Sequence, residues 1–154
     1  MRPHCTALVA GLLLAVPTSA AAADYQVLID RFFVSLRAGK SAEAVDALYA
    51  TNAWMSAASD QVVTVKNQFA SLAKLIGELR SLEKVQERKV GTRFVHVTYM
   101  VIYDRQPVRF EFQFFRPEGE WKILGFSFDD KLDDDVQAAA RAQVGACADA
   151  AAAK

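Results

Sequence analysis

Residues 93–115 read RFVHVTYMVIYDRQPVRFEFQFF, and the fold follows from how that stretch pairs with itself. Val, aromatic and β-branched residues dominate both halves, which favours extended chain, and Asp104-Arg105-Gln106-Pro107 supplies a turn between them. Setting Tyr103 opposite Val108 continues the ladder with Val101 opposite Phe110, Tyr99 opposite Phe112 and Val97 opposite Phe114. Side chains alternate along a strand, so these residues and Val95 occupy one face that is wholly apolar or tyrosine. The other face takes His96, Thr98, Met100 and Ile102 beside Arg109, Glu111, Gln113 and Phe115. A slip of one residue would bury Arg109 and Glu111, so the hydrophobic pattern fixes which face carries the core.

The chain continues in the same style on both sides. Pro117-Glu118-Gly119 turns it into a strand over 121–128, and Gly91-Thr92 marks a tight turn from a weaker strand over 82–90. Before residue 82 the apolar period changes from two to between three and four. In 24–38 (DYQVLIDRFFVSLRA), Leu28, Phe32 and Leu36 recur every fourth residue, with Tyr25 and Ile29 beside them. Gly39 ends that helix, and Ser41 is placed to cap a short one over 42–50 with Val45, Leu48 and Tyr49 on its inner face. Residues 52–59 form a loop holding Trp54 and Met55. Asp60 caps a longer helix ending near Arg80, in which Val62, Val65, Phe69, Leu72, Ile76 and Leu79 alternate spacings of three and four. Three helices followed by consecutive antiparallel strands predict an α+β fold. The helices pack on one face of an antiparallel sheet of about four strands, and an Ala-rich C-terminal helix or tail ends the chain.

The 154 residues carry 18 Lys+Arg against 18 Asp+Glu, with 53% apolar and 10% aromatic residues, 7 Gly, 4 Pro and 2 Cys. This excludes a disordered chain, a collagen-like repeat and a disulfide-rich miniprotein. Zero net charge argues against a protein built to grip nucleic acid, and one domain fits the length. Met1-Arg2-Pro3-His4, the apolar run TALVAGLLLAV over 6–16 and the small residues after Pro17 have the three parts of a secretory signal peptide. That run is too short for the ~30 Å hydrocarbon core, so no stable membrane insertion is expected after cleavage. Cys5 precedes the apolar run and is no lipidation site. The expected organisation is a signal peptide over 1–23, a domain over 24–130 and an acidic, then Ala-rich tail over 131–154, in a protein secreted to a bacterial periplasm. Cleavage between Ala20 and Asp24 leaves His96 as the one histidine and Cys147 as the one cysteine, hence no internal disulfide.

The order helix, Gly turn, short helix, loop, long helix and strand meander resembles the nuclear transport factor 2-like superfamily, in a secreted bacterial branch. Residues 32–39 leading into Leu48-Tyr49-Ala50 carry part of the likeness. The rest is Gly119-Glu120-Trp121-Lys122-Ile123, which is similar to the Gly-x-Trp-(Lys/Arg)-Ile strand start common in that group. The likeness covers roughly residues 25–128. It implies a strongly curved sheet wrapping the long helix into a cone, a pocket at the open end, and dimerisation through the outer sheet face. It chooses no function, because the superfamily holds isomerases, dehydratases, cyclases and transport adaptors alike. Its steroid isomerases use a tyrosine on the first helix and a carboxylate after the second. Laid on this chain, those positions fall on Phe32 and near Ala57, which supply neither a hydrogen-bond donor nor a base.

Motifs that carry chemistry are scarce. His96 falls on the outer sheet face and reads as a surface or interface histidine, and no zinc spacing, phosphate loop or nucleophile elbow is present. The acidic run over 129–135 lacks the spacing and central Gly of a calcium loop, and reads as carboxylates gathered at a helix start. Arg80, Lys84, Arg88, Lys89 and Arg93 interleave with Glu78, Glu83 and Glu87, as on a salt-paired surface. No catalytic residue, metal or cofactor is therefore expected, and no nucleic-acid partner. What is left is an aromatic supply: Phe32, Tyr49, Trp54, Phe69, Tyr99, Tyr103, Phe110, Phe112 and Phe114 are the candidate cone lining, with Trp54 and Met55 on a lid loop. Such walls suit a flat or chain-like apolar ligand. The leading expectation is a non-catalytic protein that binds an apolar small molecule in the cone, or a partner (including a second copy) on the outer sheet face. One rival is an isomerase- or dehydratase-like enzyme whose carboxylate base is Asp60 or Asp30. Another is a purely structural dimer whose cone is filled by its own side chains.

Overall fold

The computed structural model describes residues 24–55 and 60–152; the expected signal peptide, with Cys5, and Ala57 lie outside them, as does the side chain of Cys147. Among the described residues the order is α1 (Tyr25–Arg37), α2 (Ser41–Tyr49), α3 (Asp60–Ile76), β1 (Leu79–Val90), β2 (Phe94–Tyr103), β3 (Pro107–Phe115), β4 (Lys122–Asp129) and α4 (Leu132–Ala152). The strands form one antiparallel sheet in the order β1-β2-β3-β4, which is the expected α+β meander. None of the described helices is long and apolar enough to cross a membrane.

Helix α1 buries Tyr25, Ile29, Phe32 and Phe33, while Leu28 and Leu36 are half-buried at the edges of that stripe. Phe33 joins the expected stripe because positions 25, 29, 32, 33 and 36 follow one helical face. The helix ends in a left-handed Gly39 at φ 73°, where the Lys40 N–H reaches Ser35 O at 3.0 Å and the Gly39 N–H reaches Leu36 O at 3.0 Å. This paired closure turns the chain straight into α2. Ser41 is consequently the first helical residue and not the cap: Lys40 holds that position, with no side-chain cap bond.

The β2–β3 ladder differs from the sequence pairing by two residues. Val101 faces Val108, Tyr99 faces Phe110, Val97 faces Phe112 and Val95 faces Phe114. The Tyr103 N–H closes on Gln106 O at 3.2 Å, so Asp104 and Arg105 alone form the turn. A shift of two preserves the faces, because side chains repeat every second residue. All the residues assigned to the inner face, including Tyr103 and Val108, are accordingly buried.

Helix α3 also stops earlier than its periodicity predicts, at Ile76. Gly77 takes φ 88°, and a Cβ there would lie 2.4 Å from the Asp104 carboxylate. Asp104 instead accepts the Glu78 N–H at 2.8 Å, and the Asp104 N–H donates to Glu78 O at 3.2 Å. The β2–β3 turn thus clamps the end of α3, and Leu79 starts β1 opposite Tyr103 instead of finishing the helix.

The core is a stack of phenylalanines between α1, α3 and the sheet. Phe32 sits 5.4 Å from Phe112, 5.1 Å from Phe126 and 6.0 Å from Phe69, ring centre to ring centre. Two irregularities in β1 and one between β3 and β4 interrupt the ladders, and such bulges bend a strand. Edge strand β1 places Lys84, Glu87 and Lys89 on the core-side face, opposite Tyr99, Val97 and Val95. Charges directed inward on an edge discourage pairing with another strand. At the other end, Asp133, Asp134 and Asp135 occupy the first turn of α4, as the helix dipole favours. Arg109 bridges Asp129 at 2.8 Å and also holds Asp135, tying the start of α4 to the sheet.

Candidate functional site

A cavity of about 600 Å³ opens where the α1–α2 turn, the end of α3 and the β2–β3 turn meet. Its walls are Leu36, Phe69, Leu72 and Leu79, and its rim carries Arg37, Ser41, Glu78, Arg80, Tyr103 and Asp104. That volume is within the range that holds small ligands. The site exists because three chain reversals fall at one end of the fold. The Gly39 closure brings Arg37 and Ser41 together, and the Gly77–Asp104 clamp brings Leu79 and Arg80 beside Tyr103.

The rim is electrostatically divided. On the β side, Arg80 pairs with both Asp104 at 2.5 Å and Glu78 at 3.4 Å. The Glu78 backbone N–H, and then Arg80, hold the Asp104 carboxyl below its ordinary range. Burial pushes the Tyr103 hydroxyl up to about 12, so it stays protonated and can only donate or accept as a neutral phenol. On the α side, Arg37 ends α1, where a cation complements the helix dipole.

Of the expected lining, Phe69 and Tyr103 reach this cavity. Phe32, Phe110, Phe112 and Phe114 are fully buried in the core and do not line it, and Tyr49 is buried on α2. Tyr99 is buried toward the other end, where its hydroxyl accepts a 2.8 Å bond from Gln26 Nε2. Trp54 stands apart at 93% exposure, outside the cavity, while Met55 packs partly on the core. The cause is Asn52, which is buried and spans from the α2–α3 loop to the Ile123 carbonyl at 2.8 Å while accepting the Trp54 N–H at 3.2 Å. That anchor holds the loop against β4. Arg37, Ser41, Leu79 and Asp104 line the cavity as well, although none is an expected lining residue. The signal available was that residues 37–41, 77–80 and 103–106 all reverse the chain.

A second polar cluster lies under β1. Glu87 accepts from the Tyr25 hydroxyl at 2.9 Å and pairs with Lys84 at 2.7 Å and Lys89 at 3.1 Å. Lys84 first, then Lys89 and Tyr25, lower its carboxyl to about 2. Such a carboxylate is ionised and fully engaged, the opposite of a poised base. Asp30 and Asp60, the alternative bases, are exposed and do not line the cavity; Asp30 accepts from Gln26 at 2.8 Å. His96 lies on the outer sheet face as its parity requires, with Nε2 3.4 Å from Glu111 Oε1. No group of three or more His, Cys, Asp or Glu suited to a metal occurs among the described residues.

No family model matches this chain, and no curated protein does. Among solved structures it is similar to a protein of Thiobacillus denitrificans provisionally named a calcium/calmodulin-dependent protein kinase type II association domain. The two are 14% identical over 71% of this chain and 97% of that one, with a TM-score of 0.45. A likeness of that degree decides neither family nor function.

Proposed function

We propose that this is an exported, non-catalytic binding protein of the nuclear transport factor 2-like type, holding a small apolar molecule at the mouth of its helix–sheet body. The observation that carries the reading is the cavity itself: apolar walls from Leu36, Phe69, Leu72 and Leu79 beneath a polar rim, 600 Å³ in volume. The state of the carboxylates supports binding over acid–base catalysis, since Asp104 and Glu78 are tied to Arg80 and Glu87 to two lysines. A second copy of the chain fits the outer sheet face as partner. That face carries half-buried Phe94, Met100, Ile102 and Phe115, with Val85, Val90 and Leu124 exposed on β1 and β4. The purely structural alternative draws its support from the phenylalanine stack, which fills the space below the mouth.

Native mass spectrometry of the chain purified gently from the periplasm of producing cells tests the reading. A reproducible small-mass adduct that disappears in a cavity-filling Leu72→Trp variant, which still folds by circular dichroism, is the expected result. An adduct-free dimer would favour the structural role. An adduct retained by Leu72→Trp would place binding elsewhere.

A further inference from the structure

Three polar groups at the mouth stand without a side-chain partner. Among the described residues, the Arg37 guanidinium, the Ser41 hydroxyl and the Tyr103 hydroxyl make no hydrogen bond or ion pair, although all three line the cavity. Tyr103 is the most enclosed of the three at 6% exposed, and its hydroxyl opens to the cavity rather than being sealed in the core. Arg37 differs from Arg80 across the rim, which is engaged by two carboxylates. Beside Arg37, α2 starts without a side-chain cap, so its first backbone N–H groups are also uncovered. Three donors on the rim, one of them charged, therefore meet no acceptor from the protein.

We infer that the ligand is a monoanionic amphiphile: a single carboxylate, or an anion of similar size, set against Arg37, Ser41 and Tyr103, with a chain-like or flat apolar body against Leu36, Phe69, Leu72 and Leu79. This rests on the binding reading above and names the chemical class of its ligand. The limit of one charge comes from the carboxylates of the rim. Glu78 and Asp104 both stand at the cavity, so a second negative group on the ligand would be repelled by them. Tyr103 remains a donor through the ordinary pH range, since burial holds its hydroxyl up at about 12.

Calorimetric titration of the purified chain with decanoate, methyl decanoate and decylamine tests this. The three probes share an apolar body and differ in head charge. Decanoate is expected to bind at least tenfold tighter than either of the others. Arg37→Gln should remove that preference while leaving the methyl ester's affinity within twofold, and Tyr103→Phe should weaken decanoate severalfold. Arg37 is exposed and unpaired, so its substitution leaves the fold intact. Equal binding of decanoate and its methyl ester, unaffected by Arg37→Gln, overturns the anionic class and leaves the apolar-binding reading standing. Preference for decylamine overturns the charge assignment. Failure of all three probes to bind overturns both readings.

Discussion

Truncating Phe112 to alanine should remove a large part of this protein's stability. Its side chain is fully buried, and the ring lies 5.0 Å from Phe126, 5.4 Å from Phe32 and 5.8 Å from Phe33. A buried Phe→Ala change costs about 3–5 kcal/mol, the higher values arising where neighbours cannot relax into the space. Here the neighbours are themselves rings, anchored on α1 and β4, and edge-to-face pairs add about 0.5–1.5 kcal/mol each. The expected loss is therefore about 4–5 kcal/mol, against a total of about 5–15 kcal/mol for a typical domain. Urea unfolding followed by far-ultraviolet circular dichroism measures it directly, provided the slope m is unchanged. Trp54→Ala is the matched control: another aromatic truncation, but of a residue 93% exposed, expected to stay within about 0.5 kcal/mol of the parent. A Phe112→Ala loss below about 1.5 kcal/mol at constant m, or a Trp54→Ala loss of comparable size, would refute the assignment of the core.

Three further outcomes follow from particular contacts. Gly77→Ala should cost about 1–2 kcal/mol from the left-handed backbone alone, with an added penalty from the Asp104 carboxylate. In a double-mutant cycle Asp104→Ala should relieve part of the total, and strict additivity would show that the two residues do not meet. Glu87 contributes stability above the carboxylate's ordinary value of 4.5, and loses it as pH falls toward its folded value of about 2. The urea midpoint of the parent should therefore drop between those limits, whereas Glu87→Gln should be less stable at neutral pH and show a flatter profile across that window; parallel profiles would contradict the ion cluster. Asn52→Ala should cost about 1–3 kcal/mol by leaving the Ile123 carbonyl unpaired, and should speed amide exchange at Trp54, which would otherwise match the parent.

Much of the fold was legible because it is local. The inner face of β2 and β3 followed from parity alone, so a ladder wrong by two residues still assigned Tyr99, Phe110, Phe112 and Phe114 correctly to the core side. The α1 stripe and the acidic start of α4 followed from helical spacing and the helix dipole in the same way. Boundaries were less legible where a distant residue set them. Periodicity carried α3 past Ile76 to Leu79, and only the Asp104 side chain, from a turn some 27 positions along the chain, explains why Gly77 breaks it. The Trp54 loop is a similar case: its sequence suits a lid, but the bond from Asn52 to Ile123 pins it to β4.

The sequence by itself determined which residues are apolar on which face, since the periods of helix and strand act between near neighbours. The tertiary structure alone decided the candidate site. Arg37, Ser41, Leu79 and Tyr103 share no motif and lie up to 66 positions apart, and they meet because three turns with closures set by Gly39, Gly77 and Asp104 fall at one end of the sheet. Which of their polar groups would be left without a partner depended on what each turn placed opposite them, and no periodicity encodes that.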